Sequence, residues 1–369
     1  MVLDTSNLIY TSSNLYIPQY PVEDLLANNL YTFYVIPFYT NIPEYYQYVQ
    51  VRTLAVIGSL DIAKINSDSV MLKWDRLAYA YNYVDITWTN VNLISYYNSQ
   101  DRNFNNIYVT GQLNNLTVTS NLITGLAPNT PYFFTITAYN SIGVPTPPII
   151  TNTVYTLATI GSITCGINST RTSSITLNWT KENYTYVKLY WTPTLLDGPS
   201  GSFLTTNDLE NVATNPFLNP AGISSNIYDT SYTVTSLNSN VTYNFALYAF
   251  NSNNLINDSA STFQWVTTPT VGGVFISDIT NNSVRVNWSY GNYYSIKVRV
   301  FKNDILDREI LLIRNTFVDV YNLLPNTRYR FGVVPYTKQM TSNTTIIRGV
   351  TVYSQYIVTL LSLIHISEP

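Results

Sequence analysis

Charged side chains are scarce in this chain. Asp, Glu, Lys and Arg make up 11% of its 369 residues, against about a quarter in an ordinary globular protein. The formal net charge of −3 gives no electrostatic footprint for nucleic acid or for an anionic membrane surface, so neither partner is expected. Solubility falls to Asn, Ser, Thr and the hydroxyls of 33 tyrosines. Cysteine occurs once, as Cys165, which permits no intramolecular disulfide and leaves the redox compartment open. Its setting, ITCGI, is an alternating run, and it reads as a small buried apolar residue rather than a reactive thiol. No uninterrupted apolar run is long enough to span a bilayer, which takes roughly 20 residues of helix, so no segment is expected to cross one. Also absent are a helix-period stretch of useful length and a phosphate-binding loop; no secretory signal is visible, which excludes nothing in a chain expected to be truncated at its N-terminus. Histidine too occurs once, as His365.

What is present is a repeat. Leu25/Tyr31/Phe33, Leu126/Tyr132/Phe134, Leu237/Tyr243/Phe245 and Leu323/Tyr329/Phe331 recur with the same internal spacing, and self-similarity at about a hundred residues marks whole domains. Each copy runs on into alternating apolar positions, the pattern of a half-buried strand. Upstream of the last three copies, SVMLKWD, SITLNWT and SVRVNWS end period-2 runs at Trp74, Trp179 and Trp288. A third block follows each tryptophan, with Tyr81/Val84/Ile86/Trp88 matching Tyr184/Val187/Leu189/Trp191 and Tyr293/Ile296/Val298/Val300. The joins TLAVIGSL, TLATIGSI and TTPTVGGV repeat as well, with Gly58, Gly161 and Gly272 at nearly equal intervals ahead of the three tryptophans. Such short joins, without a Gly/Ser-rich or Pro-rich spacer, favour a semi-rigid rod over a flexible string.

This motif set resembles the fibronectin type III family. The resemblance covers three modules and part of a fourth. It implies an all-β architecture: tandem seven-stranded, immunoglobulin-like β-sandwiches placed end to end, each anchored by a strand-B tryptophan and a tyrosine corner. The structural core residues it implies are Trp74, Trp179, Trp288, Tyr31, Tyr132, Tyr243, Tyr329, Leu126, Leu237 and Leu323. An immunoglobulin domain proper would need a Cys…Trp…Cys pattern, which one cysteine cannot supply. The expected modules are 56–157, 158–268 and 269–360, preceded by a C-terminal half-module at 1–55. There Tyr31 stands closer to Met1 than any other corner tyrosine stands to its tryptophan, which leaves no room for strands A and B. Met1 is therefore expected to lie inside a longer coding sequence. Residues 361–369, LSLIHISEP, resemble a translated sequencing adapter, and the gene product is expected to continue past residue 360. On that reading His365 is neither ligand nor base.

Without that histidine no Ser-His-Asp or Cys-His arrangement can be built. Asp304, Asp307 and Glu309 could supply the two acids of a glycoside hydrolase, but KNDILDREI reads as a solvated hairpin. No catalytic residue, cofactor site or metal site is expected. Binding falls to two features. One is the tyrosine-rich B–C loop, with Tyr79, Tyr81, Tyr184, Tyr290 and Tyr293 as candidate contacts, since tyrosine gives large amphipathic area at low entropic cost. The other is the span from the strand-B Trp to the corner Tyr, which is longer from Trp74 to Tyr132 and from Trp179 to Tyr243 than from Trp288 to Tyr329. The first two spans carry insertions of the kind that often hold function. Trp88 and Trp191 are the tryptophans most open to exposure. The expected function is a non-enzymatic structural or adhesive rod, extracellular or on a cell or virion surface, with an unidentified protein or glycan ligand. The rival expectation is an accessory region of a larger carbohydrate-active or other extracellular enzyme.

Overall fold

The computed structural model describes residues 12, 15–39, 42–43, 45–76, 80–90, 110–193, 221–257, 259–313, 315–337 and 346–361. The chain is all-β, built of antiparallel sheets. A 3-10 turn at Ile167–Ser169 is the one helical element among the described residues. Two compact units divide it: Met1–Ile65 with Ser69–Gly125 and Pro131–Val154, and Asn66–Asp68 with Leu126–Thr130 and Tyr155–Pro369.

In the first unit the Trp74 strand, Ser69–Trp74, lies between Leu60–Ile65 and Ser120–Thr124. A second sheet has Tyr83–Asn90 and Pro131–Tyr139 at its centre, Gly111–Leu116 on one side and Ile149–Ile150 on the other, with Val154–Tyr155 continuing the last edge. Three strands against four is the seven-strand arrangement that the repeat implied. Alternation explains the packing: Val70, Leu72, Trp74, Val84, Ile86, Phe134, Ile136 and Ala138 are each at most 1% exposed, while Lys73 between two of them is exposed. A strand presents every second residue to one face, so these eight fill one core.

The second unit repeats this arrangement twice. Ile163–Thr164, Ile175–Trp179 and Ser231–Val234 share one core with Gly222–Ile223, Tyr186–Pro193, Thr242–Phe250 and Ser261–Val266. Val274–Ser277, Val284–Trp288 and Phe317–Val320 do so with Ile305–Ile313, Ser295–Lys302, Arg328–Tyr336 and Val352–Tyr353, and Ile357–Val358 extends the last edge. Asn303 and Asp304, at φ 49° and 68°, form the two-residue loop between Lys302 and Ile305. Positive φ at both positions matches the right-handed twist of the strands it joins, so KNDILDREI is a hairpin.

Ahead of the first sandwich, Leu30–Val35 pairs with Gln47–Arg52 and Phe38–Tyr39 with Ile42–Pro43. Tyr31 and Phe33 are only half-buried here, and Val35, Val49 and Val51 are 67%, 54% and 47% exposed. The corresponding Phe134, Phe245 and Phe331 are fully buried, because a Trp-bearing sheet covers each of them. Among the described residues no such sheet covers the 30–52 hairpin, so Tyr31 is not the core residue that its motif implied.

The turn before each corner tyrosine is built identically. Asn28, Asn129, Asn240 and Asn326, three residues ahead of the tyrosine, have φ of 51°, 49°, 55° and 49°, a left-handed conformation that Asn tolerates better than most. The backbone N–H groups of Leu26, Asn238 and Leu324 donate to the Oη of Tyr31, Tyr243 and Tyr329 at 2.9, 3.0 and 3.0 Å. A threonine from the end of the module clamps the same turn. Thr53, Thr156, Thr267 and Thr359 donate Oγ1–H to the carbonyls of Leu26, Ala127, Asn238 and Leu324 at 2.7, 2.7, 2.6 and 2.5 Å. They accept from the N–H groups of Asn29, Thr130, Val241 and Thr327, each at 3.0 Å. Replacing Tyr329 by Phe leaves the Leu324 N–H without this acceptor, a cost of about 1–2 kcal/mol. Hydrogen exchange at the Leu324 amide is expected to accelerate roughly fivefold to thirtyfold, and an unchanged rate would show that the corner bond contributes nothing.

Candidate binding surfaces

The B–C tyrosines divide sharply. Trp74, Trp179 and Trp288 each donate their indole N–H to a tyrosine hydroxyl, of Tyr81, Tyr184 and Tyr293 respectively, all at 3.1 Å. Those tyrosines are 1%, 6% and 9% exposed. A buried indole N–H needs an acceptor, and the loop turns inward to bring one. Arg76 and Lys181 then cover the rings of Tyr81 and Tyr184 at 4.8 and 3.9 Å from the centroids. Tyr81, Tyr184 and Tyr293 are therefore core partners of the tryptophans and present no contact surface, which corrects their reading as binding residues. Tyr290, 78% exposed, stays at the surface. Tyr79 lies outside the described residues.

Trp88 and Trp191 are half-buried on the core side of their strands, opposite Phe134 and Phe245. Each faces a glycine across the next pair of strands, Gly111 and Gly222. A Cβ on either glycine would stand 2.2 and 2.1 Å from the indole ring. The rings fill the space a side chain would take, so neither is a free stacking platform. The insertions at 91–109 and 194–220 lie outside the described residues, as does His365.

The carboxylates of the fourth module are engaged by cations. Glu309 accepts from Lys297 Nζ at 2.9 Å and Arg299 Nε at 2.8 Å, and these bonds hold its carboxyl below the usual range. Asp307 pairs with Arg308 at 2.9 Å, and Asp304 with Arg328. No two of them stand free as an acid and a base. Among the described residues no three His, Cys, Asp or Glu side chains converge as a metal site would require. The Cys165 thiol is pushed up by burial, an effect that its contact with Thr170 opposes, and it packs against the core of the third module. A cavity of about 460 Å³ in the second unit is lined by Ser67, Gly161, Asn257 and Ser259, with Glu182 as its one charged group. One carboxylate with no basic partner offers hydrogen bonds to a small polar molecule.

The joins carry the most elaborate side-chain bonding. In the first unit Asn140, fully buried, donates Nδ2–H to the Thr53 carbonyl at 3.1 Å. Its Oδ1 accepts from Ile142 and Val144, and Asn28 Oδ1 accepts from the Ser141 N–H at 2.8 Å. Within the second unit Asn251, also fully buried, bonds the Thr156 carbonyl at 3.0 Å, and Asn129 Oδ1 accepts from the Ser252 N–H at 2.8 Å. Further along, Asn240 Nδ2 reaches Asn292 Oδ1 at 3.3 Å, and Ile347 is fully buried in the core cluster of residues 158–266. Gly291 and Gly349 press on the 269–271 backbone, where an added Cβ would lie 2.4 and 2.3 Å from the carbonyl oxygens of Thr270 and Pro269. The join glycines Gly58, Gly161 and Gly272 have a related cause: a Cβ there would come within 2.6–2.7 Å of the Cβ of Asp75, Thr180 and Ser289, the residues after the tryptophans. The asparagines and threonines of this network were missed in the sequence, although Asn28, Asn129, Asn240 and Asn326 each stand three residues before a corner tyrosine, and Asn140 and Asn251 eight after one.

Replacing Tyr293 by Phe orphans the buried Trp288 indole N–H and is expected to lower the stability of that module by about 1–3 kcal/mol. Replacing exposed Tyr290 by Ala is expected to change it by less than about 0.5 kcal/mol. Urea unfolding followed by tryptophan fluorescence checks both, and equal effects would undo the core assignment.

The chain is similar to three kinds of known protein. The family model of the fibronectin type III domain matches residues 55–152. A Kelch domain-containing protein, SSO1033, of Saccharolobus solfataricus is 26% identical over 228 residues, 60% of this chain and 26% of its own. The chain thus spans about a quarter of that relative's length. Among solved structures, chicken CNTN1 FN1-FN3 domains align over 82% of this chain and 98% of theirs at 14% identity and a TM-score of 0.28. A two-domain fibronectin type III segment of chicken tenascin aligns over 57% and 99% at 13% identity and 0.36. Family match and seven-strand topology agree on the same segment, and residues 55–152 are a fibronectin type III domain.

Proposed function

We propose that this chain is a non-enzymatic structural and adhesive protein, a semi-rigid spacer of β-sandwich modules that mediates protein–protein or cell-surface contact outside the cell. The modules are taken as 56–157, 158–268 and 269–360, with a partial one at 1–55. The observation that carries the reading is the construction of the joins. Buried Asn140 and Asn251 reach backbone carbonyls at the end of a preceding strand, Ile347 enters a neighbouring core, and Gly291 and Gly349 admit a backbone approach that no other residue would allow. A flexible string needs none of these; a spacer that holds its modules in a fixed orientation needs all of them. Fibronectin type III domains are interaction modules, and among the described residues no helix is long and apolar enough to cross a membrane.

Small-angle X-ray scattering of the full chain is expected to give an elongated particle with little flexibility. The double variant Gly291→Val/Gly349→Val is expected to scatter as a more flexible particle with an unchanged far-UV spectrum. A compact globule for the parent chain would sink the spacer, and identical profiles for parent and variant would remove the joins from its explanation.

A further inference from the structure

The scarce charge is unevenly placed. Residues 269–360 hold ten of the 18 Lys and Arg but only five of the 21 Asp and Glu, a formal +5 in a chain whose remaining residues sum to −8. Four of the ten project from the outer face of the four-stranded sheet: Lys297 and Arg299 on one strand, Arg328 and Arg330 on the next. The register sets Arg299 opposite Gly332 and Phe301 opposite Arg330. Gly332 lets Thr351 and Tyr353 close over the strand, where a Cβ would lie 3.0 Å from each. Arg348 donates to Thr351 Oγ1 at 2.8 Å, which brings a further guanidinium to the same edge of the sheet. The outer faces of the other two sandwiches differ. There Tyr83, Asp85 and Thr87, or Tyr186, Lys188 and Tyr190, occupy the matching strand.

We propose that this outer face binds an anionic polysaccharide, through carboxylate or sulfate groups held by Arg330, Arg348 and Arg299 around Gly332. Arg330 stacks on Tyr353 at 4.1 Å and on Tyr356 at 5.2 Å, and donates to the Tyr356 hydroxyl at 3.3 Å. No carboxylate pairs with Arg330 or Arg348 among the described residues. A planar guanidinium lying over aromatic rings presents its N–H groups as a fork, the geometry that carboxylate and sulfate oxygens match. Lys297 and Arg299 share the single carboxylate of Glu309, so that trio also carries excess positive charge. Tyr353 and Tyr356, 42% and 46% exposed, flank the cations with ring surface suited to sugar C–H groups, while the Tyr356 hydroxyl is already engaged, donating to Asp304 Oδ1 at 2.6 Å. Nucleic acid fits less well: base stacking needs free ring faces, and Tyr356 already has Arg328 at 4.7 Å and Arg330 at 5.2 Å. A second copy docked on this face is the remaining alternative, and the test below separates it.

Affinity electrophoresis of the full chain tests this. Retardation is expected in gels containing dextran sulfate or polygalacturonate, with none in uncharged dextran, and salt is expected to abolish it. Which polyanion retards more assigns sulfate or carboxylate. Arg330→Gln/Arg348→Gln is expected to weaken retention by about fivefold or more, while Lys73→Gln, on the Trp74 strand of the first sandwich, leaves it unchanged. As a readout independent of folding, dextran sulfate is expected to protect Arg330 and Arg348 of the parent chain from phenylglyoxal. The proposal falls if neither polyanion retards the chain, if uncharged dextran retards it equally, or if neither arginine is protected. It also falls if single-stranded DNA binds more tightly than both polysaccharides, or if light scattering shows dimers that the double variant abolishes.

Discussion

One turn governs each module. The corner tyrosine bonds a backbone N–H five residues upstream, an asparagine three residues upstream bends the chain into the left-handed region, and a threonine from the last strand bonds both a carbonyl and an N–H of the same turn. Each bond contributes about 1 kcal/mol net, less than the roughly 1.5–3 kcal/mol from burying one core Val, Leu or Phe. The core therefore supplies stability, and the turn supplies position. It fixes where the Tyr-bearing strand starts, which sets the register of Phe134, Phe245 or Phe331 over the tryptophan sheet. It also fixes the end of the last strand, from which the next module grows. The bent asparagine carries the constraint onward: Asn28 and Asn129 turn their side chains to Ser141 and Ser252, so the residue that shapes a turn also seats its neighbour.

The fold was legible in the sequence because its two strongest signals are periodic. Apolar alternation sets strand faces locally, and recurrence of Trp, Tyr and Leu at similar intervals sets the module, so agreement between the two left little freedom. Tyr31 shows the limit. Its motif is intact and its hydroxyl accepts the expected bond, yet burial needs an opposing sheet, and burial cannot be read from a strand's own pattern. The corner bond is local; the core is not.

The candidate site was less legible for a related reason. Tyr81, Tyr184, Tyr290 and Tyr293 are chemically the same residue in the same kind of loop, and only the reach of an indole N–H separates the three that turn inward from Tyr290. Spacing holds the clue in hindsight, since Tyr184 and Tyr293 each stand five residues after their tryptophan while Tyr290 stands two after Trp288. The buried join asparagines were hidden by composition. In a chain where about one residue in nine is Asn, an asparagine that closes a join looks like every other until its offset from the tyrosine is counted.

Separating the two faces of each sheet explains how such modules diverge without losing their fold. The inner face is closed: Val84, Val187 and Ile296 hold equivalent places in three cores, and each is at most 1% exposed. The outer face of the same strand stands outside these cores, so its residues answer chiefly to their cross-strand partners, and in the 158–268 sandwich Tyr190, Ala246 and Tyr248 form a second buried cluster there. Tyr83 stacks on Tyr139 at 4.7 Å, and Tyr186 on Phe250 at 4.8 Å. In the last sandwich the aromatic partner Tyr336 is kept, but buried Ser295 stands where the stacking tyrosine was; Lys297 over Tyr336 at 5.8 Å repeats Lys188 over Phe250 at 5.7 Å. The lysine over the aromatic is thus common to both sandwiches, and the ring stack beside it can be lost to serine while the paired strands keep their register. Cations added at other outward positions, such as Arg299 where the matching strands carry Thr87 and Tyr190, make the face cationic while the corner, the core and the joins stay as they were.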